Sequence, residues 1–362
     1  MTKSKKYYNI KDDLERFPLA WCFVIIGGRK LGKTYGALKT SLEDNIKHVF
    51  VKRCNNDVNM LCAGNHLGEK GANYEVDLSP YKAINRDMGE HIKAYKIDEG
   101  LGGFYRSAED GSAGGAPIGY LLSLAAIHKF KGFDLSECDW IIFDEFIPQP
   151  WERVNRKEGE QIMDLYMTVA RDRHLRGKPD LKLICLANAV NVFNYTCEAL
   201  EITDIIADMN IRHQDLFYDE DRGIVIRILT TPEEMMEDDK KTGIYKAMHN
   251  TAWGHVAFDN EFAYNDFTNV GKLALKQFKP VVSLKYKNKC FYIYLSESKG
   301  YYMCSSPAKC PIEYDLNTDV GQIGFYYDFA LDLRNECVMG RMMFEKYTMY
   351  DMIINYKKRF KV

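Results

Sequence analysis

The sequence lacks the cysteine and histidine patterns of a metal or redox site. It contains ten cysteines, but no C-x-x-C pair and no cluster of Cys and His at the spacing that zinc requires. Cys22 and Cys185 lie within apolar runs, which is typical of buried, reduced thiols in a cytosolic protein. The cysteines therefore predict core packing and no structural zinc.

The sequence also lacks any apolar run near the roughly 18 residues that a membrane span needs. Its first ten residues, MTKSKKYYNI, have no apolar signal segment. Both absences indicate a cytoplasmic protein without a membrane span.

A strong net charge is absent as well, since the chain carries only −2 at pH 7. The charge is unevenly spread, however, because residues 271–362 have an excess of Lys and Arg and the rest has an excess of acids. This distribution favours a polyanionic partner for the C-terminal part, with ordinary scatter of surface charge as the alternative. The 362 residues, 46% of them hydrophobic, suffice for two soluble domains.

The N-terminal part alternates predicted strands and helices. Residues 21–26 (WCFVII) form a continuous apolar run, as expected of a strand buried on both faces, and a glycine-rich turn and a helix follow. The alternation predicts an α/β fold with a mainly parallel sheet. Residues 55–118 are less regular and are interpreted as an insertion or hairpin with a mobile tip. Further strands are predicted at 48–51, 121–127, 140–143 and 183–187, and a further helix at 158–173.

The pattern changes near residue 229. Residues 229–252 are charged and helix-prone, and TPEE is a good helix start, so we expect a helical linker. VVSLKYK, CFYIYLSE and YYMCSS follow with short turns between them, which predicts an antiparallel meander. The last 18 or so residues from MFEKY onward predict an amphipathic helix. The expected domains are 1–228, the linker 229–252, and a small α+β domain of 253–362.

The segment GGRKLGKT matches the phosphate-binding pattern G-x-x-x-x-G-K-[ST] between an apolar strand and a helix, the context that this motif requires. Glycines let backbone N–H groups wrap phosphates, and the helix N-terminus adds a positive dipole. Lys33 is expected to hold the β- and γ-phosphates of ATP, and Thr34 to offer a hydroxyl to Mg²⁺. Two bases lie inside the loop as extra phosphate contacts or as solvated side chains. The predicted ATP-binding loop comprises Gly27, Gly28, Arg29, Lys30, Leu31, Gly32, Lys33 and Thr34.

The segment DWIIFDEF places two acids directly after an apolar strand. Asp144 is expected to hold Mg²⁺ through water, and Glu145 to polarise the attacking water as a general base. Behind a phosphate-binding loop at this distance, the pair predicts ATP hydrolysis.

Three further segments contain weaker candidates. Asn188 ends the strand LICLANA and is expected on the γ-phosphate side, where it could orient the lytic water, with a turn-forming Asn as the alternative. Arg171 falls on the polar side of the helix 158–173 and is free to face solvent or a neighbouring subunit, whereas Arg173 falls among apolar residues. An ordinary basic helix end is the alternative for both. Lys129 and Lys131 precede the Asp144 strand and could meet phosphates, DNA or solvent.

In order and spacing, these residues resemble the genome-packaging ATPase of the small podoviruses (Picovirinae). The resemblance rests on YYN near the start, FVIIGGRKLGKTYG, VFVKR, WIIFDEF, VARDR and LICLANAV, and extends through WGHVAFDNEF into the meander. It covers most of the chain and is weakest in residues 55–118.

The resemblance implies an ASCE-type ATPase domain, that is, one with an additional strand and a catalytic glutamate. It implies a homopentameric ring at the portal vertex of a procapsid in the host cytoplasm, driving double-stranded DNA inward. The C-terminal domain would be RNase H-like with a vestigial nuclease site, would help attach the motor to the portal, and in part of the family would use a scaffold RNA.

Residue by residue, the resemblance makes Lys33 and Thr34 the Walker A pair and Asp144 and Glu145 the Walker B acid and catalytic glutamate. Asn188 would be the coupling residue and Arg171 an arginine finger acting across the subunit interface. Tyr8 and Asn9 lie where the family contacts adenine. Relatives carry a lysine shortly after the second strand that is expected to contact DNA. Asn55 or Asn56 takes its place here, so the candidate DNA contacts are Arg53, Lys129 and Lys131.

Two other functions stay open on the sequence. A P-loop nucleotide kinase would explain ARDRHLRGK as an arginine-rich lid, but it needs neither Glu145 nor a meander domain. A nucleotide-gated scaffold on nucleic acid would turn over little ATP, and the intact Glu145 argues against it.

Overall fold

The computed structural model describes residues 7–68, 77–130, 132–259, 262 and 264–362. The chain forms two compact units, one of Met1–Leu200 with Arg212–Tyr264 and the other of Glu201–Ile211 with Asn265–Val362. Among the helices of the described residues, none has the length and apolarity of a membrane span.

The first unit contains a nine-stranded sheet in the order β3-β4-β5-β2-β6-β7-β1-β9-β8. Its six central strands, β5-β2-β6-β7-β1-β9, are parallel to their neighbours. At one end β3, β4 and β5 pair antiparallel, and at the other end β8 pairs antiparallel with β9. The predicted α/β class with a mainly parallel sheet is confirmed. The strands are β1 Cys22–Ile26, β2 His48–Lys52, β3 Ile92–Asp98, β4 Leu101–Ser107, β5 Ala113–Ser123, β6 Trp140–Asp144, β7 Lys182–Ala187, β8 Leu216–Asp219 and β9 Ile224–Ile228.

The apolar runs of the sequence become the buried centre of this sheet. All five residues of β1 are buried, since helices cover both faces of a parallel sheet. Short 3-10 segments at Leu124–Phe130 and His174–Arg176 and a π-helical turn at His255–Asp259 complete the unit. The helices up to residue 254 are α1 Ile10–Arg16, α2 Lys33–Glu43, α3 Asn55–Cys62, α4 Lys82–Met88, α5 Glu158–Val169, α6 Tyr195–Ala199, α7 Thr203–Ile211, α8 Glu233–Lys240, α9 Gly243–Met248 and α10 Ala252–Gly254.

Two predicted elements end earlier than expected. The strand predicted at 121–127 stops at Ser123, whose hydroxyl accepts a hydrogen bond from the N–H of Ala125 and turns the chain into a 3-10 helix. The helix predicted at 158–173 stops at Val169, and Asp172 then adopts a left-handed backbone (φ 58°) that a helix cannot contain.

Residues 55–118 are more regular than predicted. They contain α3 and α4 and supply β3, β4 and most of β5, which extend the parallel core by antiparallel pairing. The predicted hairpin is present as the β4–β5 pair. Residues 69–76 of this segment lie outside the described residues.

The second unit is a five-stranded mixed sheet in the order β13-β10-β11-β12-β14. The predicted meander is confirmed, because β10, β11 and β12 pair antiparallel. The predicted C-terminal helix begins later than expected, since Met342–Phe344 form a strand, and it breaks at Asn355 into two helices. The elements are β10 Lys279–Tyr286, β11 Lys289–Ser296, β12 Gly300–Cys304, β13 Ile312–Asp315, β14 Met342–Phe344, α11 Asp319–Phe325, α12 Leu331–Val338, α13 Tyr347–Ile354 and α14 Tyr356–Phe360, with a π-helical segment at Tyr326–Ala330.

The compact units divide the chain at other positions than the predicted domain boundaries. The predicted linker segment is helical, as α8 and α9, and groups with the first unit. Helix α7 groups with the second unit, where the carboxylate of Asp204 accepts hydrogen bonds from the N–H and hydroxyl of Thr348. The domain boundaries at 228 and 252 stay a prediction.

Candidate functional site

The loop between β1 and α2 wraps the N-terminus of an eleven-residue helix. Gly32 caps the helix with a left-handed backbone (φ 81°), which glycine adopts without steric cost. A Cβ at Gly27 would lie 2.8 Å from the Cβ of Leu229, so no larger side chain fits there. Backbone N–H groups at a helix N-terminus of this kind form an anion site.

Lys33 is buried at the bottom of this loop. Its Nζ donates to the carbonyl oxygens of Gly27 and Gly28, both at 2.7 Å, and to Oδ1 of Asn188 at 3.2 Å. Burial lowers the pKa of Lys33 to about 8, with Asp144 acting in the opposite direction and Arg29 adding to the decrease. A polyanion in the loop would favour the protonated form of Lys33, so the residue is suited to bind phosphate.

Thr34, Asp144 and Glu145 are joined through a lysine that the sequence analysis missed. The hydroxyl of Thr34 donates to Oδ1 of Asp144 at 2.8 Å. The Nζ of Lys52 donates to Oδ2 of Asp144 at 2.9 Å and to Oε2 of Glu145 at 3.0 Å. Burial works to lower the pKa of Lys52, but the two carboxylates more than offset it and raise the pKa above its usual value.

One signal in the sequence could have found Lys52. It is the last residue of the apolar strand HVFVK, so in a parallel sheet it lies at the same edge as the acids that end β6. Its side chain is only 14% exposed, which is low for a lysine without a specific partner.

Glu145 is held in an unusual backbone conformation. Its φ is 57°, in the left-handed region that a residue with a Cβ rarely adopts, and its side chain is 66% exposed. The next residue, Phe146, is fully buried and its N–H donates to the carbonyl of Leu186. Packing of Phe146 therefore turns the chain sharply after β6 and projects the Glu145 carboxylate into solvent beside the loop.

A cleft of about 480 Å³ joins the loop, the two acids and Asn188. Leu31 of the loop also lines a second cavity, of about 280 Å³. Tyr8 and Asn9 line that second cavity too. The Tyr8 hydroxyl donates to Asp13, which also pairs with Arg227, and Asn9 caps α1 through the N–H of Lys11. The two residues predicted to meet adenine thus lie in a cavity that shares Leu31 with the cleft at the loop between β1 and α2.

Of the two bases inside the loop, one has a definite partner. The Nζ of Lys30 forms a salt bridge of 2.6 Å with Asp239 near the end of α8, and Lys30 has a left-handed backbone (φ 67°). Arg29 is exposed and lines the cleft. Lys30 therefore connects the loop to α8 instead of standing free in solvent.

The described residues contain no group of three or more His, Cys, Asp or Glu side chains able to hold a metal ion. Thr34 and Asp144, the predicted Mg²⁺ residues, offer two oxygens in contact with each other. That small donor set fits Mg²⁺, which keeps several waters and takes most of its remaining ligands from substrate phosphates.

The two candidate arginines differ sharply in their surroundings. Arg173 is only 2% exposed, and its guanidinium donates to the carbonyls of Pro179 and Cys138 and to the carboxylate of Asp139. Arg171 is exposed, two residues after the end of α5. Arg173 is thus a structural side chain, and Arg171 is available to another molecule.

Comparison with known proteins decides the family. The model of the podovirus DNA encapsidation protein (Gp16) family matches residues 113–320, more than half of the chain. The chain belongs to this family. A DNA packaging protein of Bacillus phage B103 is 25% identical over 271 residues, which are 73% of this chain and 70% of that protein.

Two solved structures share the fold of this encapsidation protein family member. The phi-28 gp11 DNA packaging motor is 17% identical, with 99% of each chain covered and a TM-score of 0.58. The bacteriophage phi-29 viral genome packaging motor assembly is 16% identical, with 98% of this chain and 100% of that chain covered and a TM-score of 0.63.

The residues predicted to contact DNA differ in their surroundings. Lys129 is exposed and lies 3.7 Å from the carboxylate of Glu99, in a loose pair. Lys131 lies outside the described residues. Asn55 donates to Glu99 as well, at 3.1 Å, so Lys129 and Asn55 share a carboxylate.

Arg53 has a structural set of contacts instead. It pairs with Glu158 at 2.6 Å and Glu152 at 2.8 Å, and donates to the carbonyls of Glu145 and Phe146. Glu158 is only 2% exposed, and burial raises its pKa while Arg53 acts to lower it. Arg53 therefore fixes the chain that follows the two acids, which argues against the DNA contact predicted for it.

We expect Arg53→Ala to reduce the free energy of unfolding by about 3–5 kcal/mol, because it leaves the buried carboxyl group of Glu158 without its ion-pair partner. Denaturation in urea measures this loss. Combining Arg53→Ala with Glu158→Gln should recover part of the stability, since a neutral amide is less costly to bury.

The control is Arg86→Ala, which removes an exposed arginine paired with Asp87 and should leave the stability close to that of the wild type. If Arg53→Ala unfolds like the wild type and instead loses DNA binding, the structural role assigned to Arg53 is wrong.

Proposed function

We propose that this chain is an ATPase that drives double-stranded DNA into a procapsid. The observation that carries the proposal is the contact between Thr34 and Asp144, which joins the phosphate loop and the acidic strand end at one edge of the sheet. Membership of the DNA encapsidation family supports DNA as the molecule that is moved, and the fold shared with packaging motors supports assembly at a portal.

The loop Gly27–Thr34 would bind the triphosphate through backbone N–H groups and Lys33, with the base in the cavity of Tyr8 and Asn9. Thr34 and Asp144 would hold Mg²⁺, which when bound neutralises developing phosphate charge. Lys33 would exchange its carbonyl partners, Gly27 and Gly28, for phosphate oxygens.

Glu145 is the proposed general base. It would take a proton from a water whose oxygen attacks the γ-phosphorus, while the bond to the β–γ bridging oxygen breaks and ADP leaves. Its exposure and its projection beside the loop suit this task. Asn188, in contact with Lys33, is placed to orient that water and to respond to the γ-phosphate.

Assembly follows from the resemblance and remains a proposal. The subunits would form a ring, most simply a pentamer, at the portal vertex of a procapsid in the host cytoplasm. The second unit would attach the motor to the portal as an RNase H-like domain without nuclease activity, and a scaffold RNA would assist where the family uses one.

The kinase alternative loses its main support in the structure. An arginine-rich lid must move over the substrate, but Arg173 is buried, and Arg176 and Lys178 donate to Ser136. The segment ARDRHLRGK is thus fixed against residues 136–139 and does not resemble a mobile lid.

The proposal predicts a split between two variants. Lys33→Ala should lose ATP binding, because Lys33 binds ground-state phosphate charge, whereas Glu145→Gln should bind ATP normally and hydrolyse it at least 100-fold more slowly, because it lacks the base. Equilibrium binding of a fluorescent ATP analogue and phosphate release by the assembled motor measure the two effects. Turnover by Glu145→Gln at the wild-type rate would contradict the mechanism.

Lys52 is proposed to position Glu145, so Lys52→Met should lower kcat at least tenfold and change the KM for ATP by less than threefold. Loss of the ammonium group leaves the Glu145 carboxylate without the partner that holds it at 3.0 Å, so the carboxylate is less often placed to act on the water. Steady-state kinetics check both effects, and Lys52→Arg should restore much of the rate.

The matched control is Lys47→Met, since Lys47 pairs with Glu137 at 2.8 Å near the start of β2 and should leave the kinetics unchanged. An unchanged kcat in Lys52→Met would exclude the positioning role.

Arg171 is the proposed arginine finger, supplied to the neighbouring subunit. Arg171→Ala should keep ATP binding and thermal stability near the wild type and lose roughly 10³-fold or more of the assembly-stimulated turnover. Arg173→Ala should instead destabilise the folded protein, because it leaves the carbonyls of Cys138 and Pro179 without this donor.

Mixing Arg171→Ala with Glu145→Gln should recover part of the turnover, since some interfaces then combine an intact Arg171 with an intact Glu145. If Arg171→Ala hydrolyses ATP like the wild type in the assembled motor, the trans finger is wrong.

A further inference from the structure

The chain between β6 and α5 forms a surface loop, residues 146–157, that one arginine holds in place. At the start of the loop, Arg53 donates to the carbonyl oxygen of Phe146 at 3.2 Å. The same guanidinium pairs with Glu152 in the middle of the loop at 2.8 Å, and with the buried Glu158 at the start of α5 at 2.6 Å. The 146–157 loop is therefore fixed in shape although it lies at the surface.

The 146–157 loop presents a tryptophan to solvent. Trp151 is 70% exposed. The other three tryptophans of the chain all lie in the described part and are buried or half-buried. An indole offers a large apolar area and one N–H donor, so its exposure on a fixed loop indicates a surface that a binding partner covers.

The charges around Trp151 favour a polyanion as that partner. The loop contains three exposed bases, Arg153, Arg156 and Lys157, and one acid, so its net charge is +2. The acid, Glu152, is already paired with Arg53. Exposed bases beside an indole suit a nucleic acid backbone, because the bases pair with phosphates while the indole packs on a sugar and donates its N–H.

A further exposed base lies at the same edge of the sheet. Strands β5, β2 and β6 are parallel neighbours, so the segments that follow them leave the sheet at one edge. The 3-10 helix after β5 contacts both neighbouring segments, since Gln161 of α5 donates to the carbonyl of Leu124 and the N–H of Ala125 donates to the carbonyl of Arg53. This 3-10 helix contains the exposed Lys129. The bases of the 146–157 loop thus belong to a larger basic edge of the first unit.

We propose that the 146–157 loop binds the backbone of duplex DNA. Arg153 and Arg156 pair with phosphates, and the indole of Trp151 packs against a deoxyribose. This inference rests on the proposed function, since it names side chains that hold the DNA being moved. Membership of the DNA encapsidation family favours duplex DNA among the polyanions that such a loop could bind.

The test measures equilibrium binding of a short, fluorescently labelled DNA duplex to the full chain without ATP, at several salt concentrations. Trp151→Ala should weaken binding about fivefold or more and leave the salt dependence unchanged, because the lost contact is apolar. Arg153→Gln should weaken binding at low salt and reduce the slope of log affinity against log salt by about 1, because one phosphate contact is lost. Thermal unfolding of both variants should match the wild type, since both side chains are exposed.

The matched control is Leu19→Ala, which should leave DNA binding unchanged, since Leu19 is 79% exposed and lies shortly before β1, at the opposite edge of the sheet. Unchanged affinity and salt slope in both loop variants overturn the DNA contact. So does a loss of self-association in Trp151→Ala with DNA binding intact, which would assign the loop to a second copy of the chain. If the wild type binds the duplex through the loop but hydrolyses no ATP, the proposed function fails instead, and the two failures are distinct.

Discussion

The candidate site depends on the parallel pairing of three strands. Strand β7 lies between β1 and β6, and its last residues pair with the last residues of both neighbours, Ile26 with Ala187 and Asp144 with Leu186. This register brings the strand ends to one level, so that Thr34, which follows the loop after β1, meets Asp144, the acid that ends β6. Ligand sites of parallel α/β sheets form at the carboxyl ends of strands for the same reason.

The positive charges of the site are balanced by contacts within the chain. Lys33 donates to backbone carbonyls and Asn188, Lys52 pairs with both acids, and Lys30 pairs with Asp239 on α8. Binding of a triphosphate would compete for Lys33 and Lys30, and Lys30 would extend that effect to α8, whereas Lys52 would stay on the acids.

The parts of the fold and site that were predictable from the sequence are those encoded by local patterns. The apolar runs predicted β1, β2, β6 and β7, and the phosphate-loop motif predicted where Lys33 and Thr34 lie. For Lys52, the place at the end of β2 was a signal, but its two acid partners were not predictable. The contacts of Arg173 and the structural role of Arg53 were not predictable either, because these partners too are distant in sequence. The placement of α7 in the second unit was not predictable either, because it involves contacts between residues distant in sequence, such as Asp204 and Thr348.

The central claim is that the chain couples ATP hydrolysis to DNA encapsidation. Phosphate release by the full chain, measured with and without purified procapsids and double-stranded DNA, tests it most directly. The account predicts slow release by the protein alone and at least a tenfold rise when both procapsids and DNA are present. Release that stays at background under all conditions, or transfer of the γ-phosphate to a nucleotide acceptor, would contradict it.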